Sequence, residues 1–229
     1  MLFPAVIVWM LSPLPHAARL SSQFFHLIEF AGVALGALGG AMVVRRDHLY
    51  RYDFIGILGL GLISGVGGGI ARDILLGDGP PLALLNPIYL ALSIGGAGLA
   101  LFFSKNVGKH LLTLMHVIDA AGLGLFTIAG ATRAQNSGLG FLPCLLLGVT
   151  TAVGGGSLRD VFTGRTPQIF QEGELYALVS AVAAAVFLIA QKLGVPVSTS
   201  ASIASFTGFI LRLAAVHFGW RTKAVDEIS

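Results

Sequence analysis

The sequence predicts an all-α membrane protein in which seven transmembrane helices form two inverted three-helix repeats plus a seventh helix. Three observations carry this expectation. Of 229 residues, 55% are hydrophobic and only 11% are charged, whereas a soluble domain carries about 25% charged residues. With a mean hydropathy of +0.85, the chain has too little charge to coat a water-facing surface, so lipid is the solvent for its exterior. Finally, a Gly-rich, Arg-Asp-bearing motif occurs twice, in corresponding places of two apolar halves.

Residues 1–23 form an N-terminal segment. No basic residue precedes its apolar stretch at 2–11, Pro4, Pro13 and Pro15 interrupt it, and Pro15-His16-Ala17-Ala18 is a poor cleavage site. It therefore reads as a retained interfacial segment rather than a cleaved signal. Apolar stretches of roughly 20 residues, the length that crosses a bilayer, follow at 24–44, 54–77, 86–104, 111–132, 139–163, 175–191 and 198–216. They divide into a first repeat at 24–110, a second at 111–192, a seventh helix at 193–218 and a tail at 219–229. Loop charge sets the orientation. Arg19, Arg133 and Lys192 lie on one side, whereas Arg45, Arg46, Arg51, Lys105, Lys109, Arg165, Arg221 and Lys223 lie on the other. The basic side is cytoplasmic, so the N-terminus is outside and the tail inside. The single cysteine, Cys144, excludes an intrachain disulfide or a cysteine-based metal cluster. The formal charge of +3 belongs to these loops, and no basic stripe interleaved with aromatics points to nucleic acid.

The repeat is explicit. Residues 65–77 (GVGGGIARDILLG) and 152–164 (AVGGGSLRDVFTG) share seven of thirteen positions at an offset of 87. Pro80, Tyr89 and Ser93 match Pro167, Tyr176 and Ser180 at the same offset. His26 to Gly32 matches His116 to Gly122 at an offset of 90, the difference falling in the loop after the first span of each unit. A second copy of a three-span unit enters the membrane from the opposite side, so the halves are inverted. Inverted repeats are the architecture of many solute pathways.

Chemistry concentrates in four places. The triplets Gly67-Gly68-Gly69 and Gly154-Gly155-Gly156 lower helix propensity by roughly 1 kcal/mol per residue relative to alanine. They are expected to kink or unwind their spans into a wet cavity as well as to pack; close packing alone is the other reading, since glycines also recur at spacing four. The pairs Arg72-Asp73 and Arg159-Asp160 point about 100° apart on a helix, so each is expected to find a partner elsewhere, in Glu29 and Asp119 respectively. Four acids against two arginines favour cations if these residues see the pathway, although a structural ion pair is an equal reading. His26 and His116, each three residues before an acid, read as hydrogen-bonding groups rather than metal ligands. Arg212 is expected to snorkel to headgroups, and Trp9, Trp220, Tyr50, Tyr52 and Tyr89 to anchor the interfaces. The stretch 198–205 (STSASIAS) either packs tightly or wets the pathway. No nucleophile–base pair, redox motif or cofactor motif is present, so no enzyme activity is expected.

At GGGIARD and GGGSLRD, each following an acid-bearing Gly-rich span, the chain resembles the bacterial branch of the trimeric intracellular cation (TRIC) channel family over roughly residues 24–221. The resemblance implies a homotrimer with one potassium-permeable pore through each protomer, beside the helices holding the two glycine triplets. It also implies bound lipid at the subunit contacts. The animal members' lipid-binding Lys-Glu-Val motif is missing, so phosphoinositide binding does not carry over, and Glu29 stands where aspartate is expected. Relatives of this branch also carry the label glycine transporter. The expected activity is therefore a potassium-permeable channel, with transport of a small zwitterion such as glycine as the alternative.

Overall fold

The computed structural model describes residues 22–47, 50–103, 110–173 and 175–222. The expectations for Trp9, Arg19, Lys105, Lys109, Lys223 and the bulk of the N-terminal segment lie outside these residues. The described residues are helical almost throughout: α1 (Ser22–Arg45), α2 (Phe54–Leu76), α3 (Pro87–Phe103), α4 (Leu111–Asn136), α5 (Phe141–Phe162), α6 (Tyr176–Lys192) and α7 (Val197–Phe218). A single helical turn, Leu82–Leu85, follows α2, and a 3-10 turn, Gln168–Phe170, follows α5.

Local chemistry fixes the ends. The Asp53 carboxylate accepts a 2.7 Å bond from the Gly56 amide at the start of α2, satisfying an otherwise orphaned donor. Gly77 and Gly219 close α2 and α7 at φ +68° and +63°, a conformation that costs a side chain but not glycine. Pro87 opens α3 and Pro196 precedes α7, where a missing N–H is no loss.

Five helices (α1, α2, α4, α5 and α7) are long and apolar enough to cross a membrane; α3 and α6, at 17 residues each, are shorter. Such a helix spans about 25 Å at 1.5 Å per residue, the short end of what a bilayer requires. Among the described residues, five of the seven expected spans are therefore unambiguous and two are short. Large apolar side chains such as Ile55, Leu146 and Phe206 face outward, while Ala37, Ala41, Ala97, Ala129, Ala183 and Ala204 are fully or almost fully buried. This is the pattern of a membrane protein, where small residues let helix backbones approach and lipid takes the bulky side chains.

The two repeats meet where α2 crosses α5. A β-carbon on Gly68 would overlap the Thr151 carbonyl, and one on Gly155 would overlap the Ser64 carbonyl. These contacts exchange under the 87-residue offset, as expected for a two-fold relation between like surfaces. The same exchange holds one layer out, where Gly40 of α1 lies against the Ser64 side chain and Gly130 of α4 against that of Thr151. Both triplets lie inside unbroken helices. The expected unwinding is absent because the missing side chains are used for close approach: the lost propensity is offset by contact between two backbones. Helix α7, outside the repeats, packs on α4 and α6. The stretch 198–205 takes part in that packing, with Ser200 fully buried and the Ser205 carbonyl 2.6 Å from where a β-carbon on Gly124 would sit.

Loop contacts tie the ends of the bundle. Arg165, after α5, pairs with Asp47, after α1, at 2.5 Å. Thr222, after α7, donates its amide to Gly173, after α5, at 2.9 Å. At the other pair of connections, the Ser137 hydroxyl donates to Asp78 at 2.8 Å.

Candidate functional site

Two clusters of charged groups occupy equivalent places in the repeats. In the first, Arg72 donates from Nη1 to Glu29 Oε1 and from Nε to Asp73 Oδ1, both at 2.8 Å. The Tyr89 hydroxyl donates to the second Glu29 oxygen. Asp73 Oδ2 accepts the Leu82 amide at 2.9 Å, capping the short turn after α2. All four side chains are buried. Removing such charges from water requires close pairing and full hydrogen bonding, and this cluster has both. The Glu29–Arg72 partnership is the expected one.

In the second cluster Arg159 donates to Asp160 Oδ1 from Nε at 3.0 Å and from Nη2 at 2.6 Å. Asp160 Oδ2 accepts the Gln168 amide at 3.3 Å, so this aspartate also ties its helix to the following turn. The expected Asp119–Arg159 pair is not formed. Asp119 instead accepts from Arg212 Nε at 3.2 Å and from the Tyr176 hydroxyl at 3.0 Å. Asp119 is one methylene shorter than Glu29, and α7 supplies a guanidinium at closer reach.

Three further expectations are corrected. Neighbours Arg72 and Asp73 do pair, as do Arg159 and Asp160, because the long arginine stem folds back across the angle between adjacent positions. Arg212 does not snorkel: it is 5% exposed and held by Asp119. Counting it reduces the excess of intramembrane acids from two to one. Tyr89 is not an interface anchor but is buried on Glu29, as its counterpart Tyr176 is bonded to Asp119. Their matched spacing was visible in the sequence, whereas nothing there linked Arg212 to Asp119. His26 stacks on Phe30 with ring centroids 5.6 Å apart.

Each triplet divides its labour. Gly68 and Gly155 carry the helix crossing, and a β-carbon on Gly154 would lie 3.1 Å from the Gly68 Cα; one on Gly67 would meet Leu158 at 2.9 Å. Gly69 and Gly156 instead leave room for arginine: a β-carbon there would meet only Arg72 Nη2 at 3.8 Å and Arg159 Nη2 at 3.9 Å.

The cavities differ more than the clusters. Around the second lies a space of about 500 Å³ that reaches Asp119, Arg159, Asp160, Gly156 and His116, and extends to Glu172 and Arg221. Besides His116 and Tyr176, its ionisable lining holds three acids (Asp119, Asp160, Glu172) and three arginines (Arg159, Arg212, Arg221). Beside the first cluster is a space of only about 20 Å³, bounded by Glu29, Tyr89 and Gly69, room for about one water. Phe126 borders both, and its ring fills the space beside Gly32 and Gly36.

A family model described as glycine transporter matches residues 26–105 and 116–192, one stretch in each repeat. A UPF0126 membrane protein of Deinococcus radiodurans is 38% identical over 171 residues, covering 74% of this chain and 78% of that protein. The UPF0126 inner membrane protein YadS of Escherichia coli is 30% identical, over 87% of this chain and 96% of its own. Among solved structures, the trimeric intracellular cation channel orthologue from Rhodobacter sphaeroides superposes with a TM-score of 0.77 at 31% identity, over 85% of this chain and 98% of that one.

Proposed function

Because the chain belongs to the bacterial branch of the trimeric intracellular cation channel family, we propose that it conducts monovalent cations, potassium among them, through a path inside each protomer of a homotrimer. In this arrangement all seven long helices cross the inner membrane and the two repeats insert in opposite senses. The basic loops, including those joined by Arg165–Asp47 and Gly173–Thr222, face the cytoplasm. The large cavity is the cytoplasmic vestibule. It ends at Phe126, and the Glu29–Arg72–Tyr89 cluster closes the outer half, so the path is shut in this conformation. Permeation requires Phe126 and that cluster to give way, and the triplets Gly67–Gly69 and Gly154–Gly156 hold the crossing beside which the path runs. Lipid fills the contacts between protomers.

The observation that carries this reading is the one-sided cavity, about 500 Å³ in volume, that reaches Asp119 at the repeat interface. Planar-bilayer recording of purified protein tests it. Unitary potassium currents are expected, with larger open times after Phe126→Ala; protein that reconstitutes as an oligomer but never gives a unitary current refutes it.

Transport of a small zwitterion is supported by a different observation: three acids and three arginines line one cavity, a lining matched to an ammonium and a carboxylate together. Saturable counterflow of labelled glycine without unitary current would decide for this second reading.

A further inference from the structure

Arg72 and Arg159 stand at equivalent positions and are held alike on one side. In each, Nε donates to the aspartate that follows. In each, Nη2 lies beside the third glycine of its own triplet, 3.8 Å and 3.9 Å from where a β-carbon would sit. They differ at Nη1. That of Arg72 donates to Glu29 of α1. That of Arg159 has no partner among the described residues, and the equivalent carboxylate of α4, Asp119, is engaged by Arg212 and Tyr176 instead. We propose that Arg159 is the receptor for the carboxylate of a small ligand, which enters the large cavity and takes on Arg159 the place that the Glu29 carboxylate takes on Arg72. The binding rests on neither reading of the function above.

Three observations carry the assignment. The first repeat is a template: one guanidinium there holds two carboxylates, Glu29 and Asp73, with its own side chain only 3% exposed. A second carboxylate on Arg159 gives the second cluster the same composition and charge, through the charge-assisted bonds that arginine forms best. Next, a buried donor calls for a partner. Arg159 is buried, and Asp160 meets its Nε and Nη2 with a single oxygen, so a ligand on Nη1 breaks no existing pair. Finally, there is room and an entrance. The first cluster has about 20 Å³ beside it, whereas Arg159 borders about 500 Å³, a volume typical of small-ligand pockets. That space runs out to the exposed Glu172 and Arg221. The Asp119 carboxylate, 37% exposed, lines the same space, so a zwitterion seated on Arg159 by its carboxylate has an acid to meet its ammonium.

Isotope-labelled acetate and glycine are titrated separately into the purified, assembled protein, and saturable broadening of the carboxyl NMR signal gives a dissociation constant for each. Wild type is expected to bind. Arg159→Lys keeps a charge for Asp160 but gives up the planar fork, and should weaken binding roughly tenfold. Asp119→Glu supplies one more methylene, so that the protein's own carboxylate reaches Arg159 as Glu29 reaches Arg72. It should abolish binding in an oligomer that assembles and melts at or above the wild-type temperature. Should Arg159→Lys fail to assemble, Asp119→Glu decides alone. Tighter binding of glycine than of acetate assigns the ammonium to an acid of the lining, and no preference for glycine means that recognition ends at the carboxylate; both support the site. Absence of saturable binding of either probe by wild type overturns the proposal. So does wild-type affinity in an assembled Arg159→Lys or Asp119→Glu, which moves the anion to Arg221 at the mouth. Potassium current recorded without either probe decides the channel reading separately and leaves this comparison intact.

Discussion

The first and second charge clusters begin from nearly the same residues and end as different devices. Glu29, Arg72, Asp73 and Tyr89 form a closed network in which each carboxylate oxygen has a partner and only about 20 Å³ is left beside it. Asp119, Arg159, Asp160 and Tyr176, their counterparts, split into two pairs around a space of about 500 Å³. One methylene and one additional helix account for the difference. Glutamate reaches the arginine of its own repeat; aspartate falls short and is claimed by Arg212 of α7, which has no partner helix in the first repeat. A duplicated sequence therefore sets duplicated backbone contacts without setting duplicated electrostatics: backbone contacts depend on glycines present in both copies, whereas ion pairs depend on side-chain reach and on whatever else is near.

The comparison breaks most visibly at Glu29. Glu29→Gln leaves the buried Arg72 with only Asp73, and loss of one partner from a buried ion pair costs about 3–5 kcal/mol. A clear fall in melting temperature in detergent is expected, with a larger open probability in surviving channels, because this cluster closes the outer half of the proposed path. Unchanged melting at unchanged open probability would mean that the cluster neither ties the fold nor bars the path.

The glycines come next. Gly68→Ala and Gly155→Ala each drive a methyl into a facing carbonyl, and overpacking of this kind costs about 1–3 kcal/mol or more. Both should weaken the fold, and by similar amounts, since the contacts exchange between repeats. Gly69→Ala and Gly156→Ala, with open space at the β-carbon, should melt close to wild type or above it, as alanine raises helix propensity. Thermal unfolding of the four variants checks this; equal behaviour of all four would undo the division of labour within each triplet.

A milder effect than at Glu29 is expected at Asp119. Its carboxylate is 37% exposed while the Arg212 side chain is 6% exposed, so Asp119→Asn should lower the melting temperature, by less than Glu29→Gln does. Its reversal potential in a salt gradient should nevertheless shift toward that of chloride. An unchanged reversal potential would place the path away from this carboxylate.

Composition and pattern determined a good part of this protein. Scarce charge and long apolar runs required helices in lipid, because only closed backbone hydrogen bonding survives there. The doubled Gly-Gly-Gly-x-x-Arg-Asp motif revealed two like units, and the Glu29–Arg72 pairing followed from the half of the membrane the two residues share. What the glycines were for did not follow. A triplet that weakens an isolated helix reads as a break, and only the facing carbonyls of Thr151 and Ser64 turn it into a crossing point. Nor did the partner of Asp119, since Arg212 lies in a helix without a repeat and 93 residues away, a proximity that no periodicity encodes. The open and closed halves were likewise decided by tertiary structure: Phe126 and Gly36 occupy corresponding places in the repeats, but only the packing of α1 on α4 sets the Phe126 ring against Gly32 and Gly36, where it borders both cavities.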